Sequence, residues 1–274
     1  MDRDATVAKA CRLIEEAADH GANVIGFPEG FIPGFPDWYN WFMPRSPESL
    51  RCHKALFKNA VEIDSPAVQA LIKTASKTHT QVAVGINERR PGSMGSLFNT
   101  LLFIGPNGIN GVHRKLVPTL MERLVHVGGD GESLRTYPTE FGNLGGLICG
   151  ENTNSLARFA LLAQDEHIHV ASWPAFVFSN QNNFESIDIR SRYHAFEGKV
   201  FVINACGILD DDCLDTMGLN EAQRATLSCR GGHSGIVGPN GNYVVGPVDD
   251  TAQIVYADAD LEKIIEGKYA HDLT

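Results

Sequence analysis

The sequence predicts an α/β protein built on a mixed β-sheet, and three observations carry that expectation. Stretches of helical period alternate along the chain with short apolar runs of strand length. Two near-identical turn signals, Ile104-Gly105-Pro106-Asn107-Gly108 and Val237-Gly238-Pro239-Asn240-Gly241, mark hairpins, so the sheet is mixed rather than purely parallel. No linker or low-complexity tract divides residues 1–274, which are read as one domain with a sizeable core.

The elements follow in order. Residues 4–20 are predicted helical, with Val7, Cys11, Ile14 and Ala18 on one face and Gly21 at the end, where a positive φ is common. Val24–Phe27 reads as a buried strand with Pro28 and Glu29 at its end. A helix over 66–79 precedes the strand Gln81–Asn87, and Leu101–Ile104 enters the first hairpin, whose returning strand ends near Lys115. Asn143–Cys149 is a strand followed by a helix over 153–165. Val170–Trp173 and Val200–Ala205 are strands flanking a helix over 184–197. His233–Val237 and Asn242–Val245 form the second hairpin. The twin Pro-Asn-Gly turns mark either two similar halves or simply a common turn. The least regular stretches are 33–60 and 208–231; the second is Asp-rich and reads as a surface insertion.

Composition excludes several function classes. A net charge of −10 argues against a nucleic-acid partner, which needs clustered Lys and Arg. No apolar run is long enough for a membrane span, and the opening Met1-Asp2-Arg3-Asp4 has no apolar signal core, so a cytoplasmic location is expected. The six cysteines are sparse and form no CxxC pair, which argues against a disulfide scaffold or a zinc site and for free thiols.

Three chemically capable residues close apolar strands: Glu29, Lys115 and Cys149. Ligands bind at the carboxyl ends of strands in open α/β sheets, so these three could share a pocket. Cys149 precedes a helix start near Asn152–Asn154, a position that lowers a thiol pKa, and a nearby Lys115 would lower it further. Each residue also has a plainer reading. Cys149 alone fits a buried structural thiol. Glu29 fits a capping or surface carboxylate, Lys115 a solvated side chain, and Glu122 a surface acid paired with Arg123.

Together the segments are more specific. Phe27-Pro28-Glu29, then His113-Arg114-Lys115-Leu116-Val117-Pro118-Thr119, then Cys149-Gly150-Glu151-Asn152 resemble, in order and approximate spacing, the three signature segments of the nitrilase superfamily. Gly34-Phe35-Pro36, Glu122 with its flanking residues and Ala171-Ser172-Trp173-Pro174 look like its nitrilase branch, and the resemblance runs over about residues 4–271. It implies a four-layer α-β-β-α sandwich over 1–274. It also implies hydrolysis of an organic nitrile to the acid and ammonia through a covalent cysteine intermediate. By position, Cys149 is the nucleophile, Glu29 the general base, Lys115 the stabiliser of the tetrahedral intermediate and Glu122 a fourth catalytic member or a support for Lys115. Gly150 N–H would bind developing charge, and no metal or organic cofactor is needed. Trp38 and Trp173 (with Trp41 and Phe42) either line the substrate pocket or serve as core or subunit contacts. The family implies a homodimer that builds larger homo-oligomers, spirals or filaments, with 208–231 at a spiral contact. An amidase or carbamoyl hydrolase on the same scaffold, or a non-catalytic assembly protein, are the alternatives. Members usually carry one more strand before the first helix and a Gly-His-Tyr-containing piece after the segment 268–272; this sequence starts almost at the helix and stops at Thr274.

Overall fold

The computed structural model describes residues 1–178 and 183–270. His271 and Asp272 of the C-terminal segment lie outside the described residues. The fold begins with α1 (Arg3–Asp19), whose first turn is capped by the Asp2 carboxylate accepting from Ala5 N at 2.9 Å. β1 (Val24–Gly26), α2 (Pro47–Asn59), α3 (Pro66–Thr78), β2 (Gln81–Arg89), β3 (Leu97–Gly105) and β4 (Gly108–Arg114) follow. Then come β5 (Tyr137–Thr139), β6 (Gly142–Ile148), α4 (Ser155–Leu162), β7 (Ile168–Trp173), α5 (Asn183–Gly198) and β8 (Phe201–Cys206). The chain closes with α6 (Asp211–Met217), α7 (Glu221–Arg224), β9 (Gly232–Val237), β10 (Tyr243–Asp249) and α8 (Glu262–Tyr269).

Among the described residues the strands form two sheets, β1-β2-β3-β4 and β10-β9-β8-β7-β6-β5. Period-two alternation sorts their side chains into layers. Val82, Val84 and Ile86 of β2 and Leu102 and Ile104 of β3 join Val7, Ala10, Ile14 and Ala17 of α1 and Val68, Leu71 and Ala75 of α3 in one core. Their neighbours Ala83, Leu101 and Phe103 point the other way, into a second core with Leu144, Ile148, Val170 and Val202 of the other sheet. α4 packs Ala157 and Leu161 against Leu147, and α5 packs against β8 and β9. The layers therefore run helix, sheet, sheet, helix.

The two Pro-Asn-Gly turns occupy equivalent places. The first joins β3 to β4 at the end of the antiparallel run β2-β3-β4, and the second joins β9 to β10 at the end of β8-β9-β10. Each run is preceded by parallel pairing, β1 with β2 and β6 through β8. The turn copies therefore mark two similar halves.

Three expectations need correction. The buried face of α1 is Val7, Ala10, Ile14 and Ala17, while Cys11 turns toward α3, its Sγ 3.8 Å from Ala70 O. The stretch 33–60 contains the regular helix α2, started by Ser46 Oγ accepting from Ser49 N and by Pro47 in its first turn. The stretch 208–231 is more than a surface insertion: Leu209, Leu214, Met217 and Leu219 are buried with Trp38, Cys52 and Leu56 in a third core.

Candidate active site

Glu29 lies three residues beyond β1, on a loop that crosses β2 at Gly85. A Cβ at Gly85 would stand 2.2 Å from Pro28 O, so the crossing requires glycine there. Glu29 N donates to Trp173 O at 3.2 Å and Ser172 Oγ to Phe27 O at 3.0 Å, which ties the end of β1 to the end of β7 in the facing sheet. Lys115 follows β4 directly, its N–H still paired with Asn99 O at 2.8 Å. Glu122 arrives on the short 3₁₀ turn Leu120–Leu124 and accepts from Thr119 N at 2.9 Å.

These three side chains meet out of solvent, at 2%, 1% and 1% exposure for Glu29, Lys115 and Glu122. Lys115 Nζ donates to Glu29 Oε1 and to Glu122 Oε2, each at 2.7 Å. Asn99 Nδ2 bridges the same carboxylates, donating to Glu29 Oε1 at 2.6 Å and Glu122 Oε1 at 2.7 Å. Glu29 Oε2 is buried with no hydrogen-bond partner among the described residues.

Cys149 begins the 3₁₀ turn Cys149–Thr153 immediately after β6, at φ 51°. Glu151 fastens that turn to the lysine segment. Its carboxylate accepts from Ile148 N at 3.0 Å and Leu116 N at 2.6 Å, and lies 3.0 Å from His113 Nε2. The nucleophile candidate and Lys115 are thus held by one side chain.

Burial sets the electrostatics. It pushes Glu29 up to about 7, with the Glu122 charge adding to the rise and Lys115 and Asn99 only partly offsetting it. Burial also works against ionised Glu122, but contacts with His126, Lys115 and Asn99 outweigh it and hold that carboxyl well below its usual range. Lys115 is held above its ordinary range: burial opposes its charge, and Glu29, Cys149 and Glu122 more than compensate. Burial, and then Glu29, push the Cys149 thiol up. This reverses the sequence expectation of a lowered Cys149 pKa, because a five-residue 3₁₀ turn supplies little dipole against nearly complete desolvation. The resting group is a neutral thiol beside a lysine cation shared by an ionised Glu122 and a Glu29 carboxyl raised to about 7.

Gly150 is half-buried in the same turn. Trp173 is fully buried at the end of β7, its Nε1–H donating to Asn204 Oδ1 at 3.0 Å, with the Arg190 guanidinium 5.8 Å from the ring centroid. Trp38 packs in the third core with Cys52 and Leu56, the core placement that the sequence left open. Sequence reasoning missed Asn99, Glu151 and Asp37. Asp37 is 5% exposed, its carboxyl raised by burial and by the neighbouring Glu29 charge. The polar pair Asn99-Thr100 inside an apolar strand was a usable signal for the first, and Glu151 stood within the segment Cys149-Gly150-Glu151-Asn152 without a role; Asp37 had no signal.

The two sheets close over a buried cysteine, lysine and glutamate. The carbon–nitrogen hydrolase family profile matches residues 1–269, and the chain belongs to that family. A nitrilase of Bacillus sp. (strain OxB-1) is 39% identical over 276 residues, covering 99% of this chain and 80% of the relative. An aliphatic nitrilase of Rhodococcus rhodochrous is 34% identical over 99% of this chain and 75% of its own length. An arylacetonitrilase of Hypocrea virens (strain Gv29-8 / FGSC 10586) is 33% identical over 100% of this chain and 84% of its own. The crystal structure of Saccharomyces cerevisiae Nit3, a member of branch 10 of the nitrilase superfamily, shares the fold at a TM-score of 0.74 and 21% identity, covering 100% of this chain and 90% of that one. A carbon–nitrogen hydrolase from Helicobacter pylori G27 does so at 0.75 and 18%, over 98% and 88%. Among the described residues no helix is long and apolar enough to cross a membrane.

Proposed function

We propose that the protein is a nitrilase, converting an organic nitrile to the carboxylic acid and ammonia with Cys149 as nucleophile. The observation that carries the mechanism is the division of labour in the Glu29 carboxylate. Oε1 is held by Lys115 and Asn99, while Oε2 is buried with no partner among the described residues and open to a proton. A neutral thiol needs a base, and a carboxyl poised near 7 suits that task at neutral pH. Cys149 Sγ bonds to the nitrile carbon as its proton passes to Glu29, which delivers it to the nitrile nitrogen, giving a neutral thioimidate and restoring the Glu29 carboxylate. Lys115 and Gly150 N–H stabilise the charge that develops on nitrogen and, later, oxygen. One water adds and ammonia leaves, giving a thioester. A second water, activated by Glu29, releases the acid and restores the thiol. Glu122 keeps Lys115 charged and aimed, and Trp173, whose backbone carbonyl accepts from Glu29 N, borders the site.

The nitrilase relatives favour this reading over an amidase or an idle scaffold. They include both aliphatic and arylacetonitrile enzymes, so the size of the nitrile is set by the pocket of this chain. The test is ammonia release from a panel of aliphatic, aryl and arylaliphatic nitriles and their amides. Turnover of nitriles by the wild type, lost by at least about 10⁴-fold in Cys149→Ala, is expected; retained turnover in the variant would end the cysteine mechanism.

Assembly is part of the proposal. Leu156 and Phe159 of α4 and Ile189 and Tyr193 of α5 are exposed at 79%, 53%, 62% and 50%, an apolar outer face suited to a second copy. Phe159→Glu with Ile189→Glu should reduce the mass seen by light scattering; an unchanged mass would exclude this face. Six free thiols accord with a reducing cytoplasm.

A further inference from the structure

Behind the Cys149 turn lies a buried polar chain that the mechanism above does not use. Asn152 Nδ2 donates to Cys149 O at 3.0 Å and to Leu147 O at 3.3 Å. Both partners are carbonyl oxygens, which can only accept, so the orientation of the Asn152 amide is fixed. Its Oδ1 therefore faces His169 Nε2, 2.9 Å away. An amide oxygen cannot donate, so Nε2 carries a proton. The other ring nitrogen, Nδ1, lies 2.8 Å from Glu166 Oε1. Glu166 is fully buried, and its two histidine partners offset that burial and hold the carboxyl well below its usual range. His169 thus donates through Nε2 to Asn152, with its Nδ1 against Glu166.

The surroundings agree. Glu166 Oε2 is 2.8 Å from His194 Nε2, while His194 Nδ1 is buried with no hydrogen-bond partner among the described residues. Burial, and then His169, push His194 down to about 4, which keeps it neutral. Gly145 makes room for this pair: a Cβ there would stand 2.0 Å from Glu166 Oε1. Glu166, His169 and His194 are also the one cluster among the described residues with metal-ligand spacing. In this structure the ligand atoms are hydrogen-bonded to one another, and through His169 Nε2 to Asn152, which makes the cluster a relay that ends on the Cys149 carbonyl.

We propose that His169 is a positioning residue, whose Nε2–H fixes the Asn152 amide so that it grips the Cys149 carbonyl. Cys149 sits at φ 51°, a backbone region that side-chain-bearing residues leave unless held. Releasing the grip lets the turn relax and moves Sγ off the line to the nitrile carbon. This inference rests on Cys149 as the nucleophile.

The experiment compares His169→Gln with His169→Asn. Gln places an N–H near the former Nε2 and can still donate to Asn152; Asn places one near the former Nδ1 and can satisfy only Glu166. Displacement of a reacting atom by about 1 Å costs on the order of 100-fold, so kcat should fall about 100-fold in His169→Asn and much less, about fivefold, in His169→Gln, with KM moving less than about threefold in both. Alkylation of Cys149 by iodoacetamide should slow in the same order. Equal kcat losses at equal melting temperature, or a change confined to KM, would overturn the proposal. Neutron diffraction on the wild type decides the matter without a variant: deuterium on His169 Nε2 is expected, and a bare Nε2 would overturn it. Turnover retained in Cys149→Ala would instead sink the nucleophile reading while leaving the neutron result untouched.

Discussion

Replacing Lys115 by Met is the most informative perturbation of the charged cluster. The side-chain volume is nearly kept, while Glu29 and Glu122 each lose a 2.7 Å partner in a site where all three groups are at most 2% exposed. Breaking a buried ion pair by removing one partner costs about 3–5 kcal/mol. Asn99 still donates to both carboxylates, so about 4 kcal/mol at pH 8 is expected. The loss must depend on pH. Glu29 is already raised from 4.5 to about 7 in the folded wild type, so the native state holds a proton that the unfolded state has released. Its contribution to stability is therefore present at low pH and lost as pH rises through about 7. Without Lys115, Glu122 loses a cation that holds its carboxyl low, and native Glu122 takes up a proton too. One extra proton over two pH units is worth about 2.7 kcal/mol, so the deficit should shrink to about 1–2 kcal/mol at pH 6. Urea unfolding of both proteins at pH 6 and pH 8 measures this directly. A deficit that is the same at both pH values, or below about 1 kcal/mol at pH 8, would refute the picture of a lysine neutralising two buried carboxylates.

Three further outcomes follow from the same geometry. With Glu29 as base, log kcat/KM should rise with unit slope up to about pH 7 and then level, and a flat profile from pH 5 to 8 would remove Glu29 from that role. Asn99→Leu takes a donor from Glu29 and from Glu122, two charge-assisted bonds of about 1.5–3 kcal/mol each, and should lower both stability and kcat; a neutral effect in urea unfolding and turnover would contradict the bridging role. Gly85→Ala puts a Cβ 2.2 Å from Pro28 O and must displace the Glu29 loop, so kcat should drop by about 10- to 100-fold, whereas wild-type kcat would show that the loop position is not critical.

Much of this was legible along the chain, for identifiable reasons. Helix and strand periods expose which positions are apolar, and β2 and β3, buried on both faces, still read as strands from their composition and from the turn that follows β3. The missed helix α2 carried a local signal, Ser46-Pro47, that was overlooked in an otherwise irregular stretch. The apparent insertion 208–231 was misjudged because its Asp-rich surface residues mask four apolar ones that reach the core. The helical stripe of α1 was misplaced because small alanines, rather than the larger Cys11, meet the sheet.

Residue type and order alone determined the mixed α/β architecture, the two hairpins, and which glutamate, lysine and cysteine stand at strand ends. Those are local properties: side-chain period, turn chemistry and motif spacing are written in neighbouring residues. Only the tertiary structure decided that Lys115 sits between two carboxylates, that Asn99 bridges them, that Glu151 binds the cysteine turn to the lysine segment, and that the Cys149 thiol is raised rather than lowered. Each of these depends on how much water is excluded and on which distant side chains share the same few ångströms. Desolvation and charge coupling act through space, and a linear sequence carries no distance between residues 29, 115 and 149.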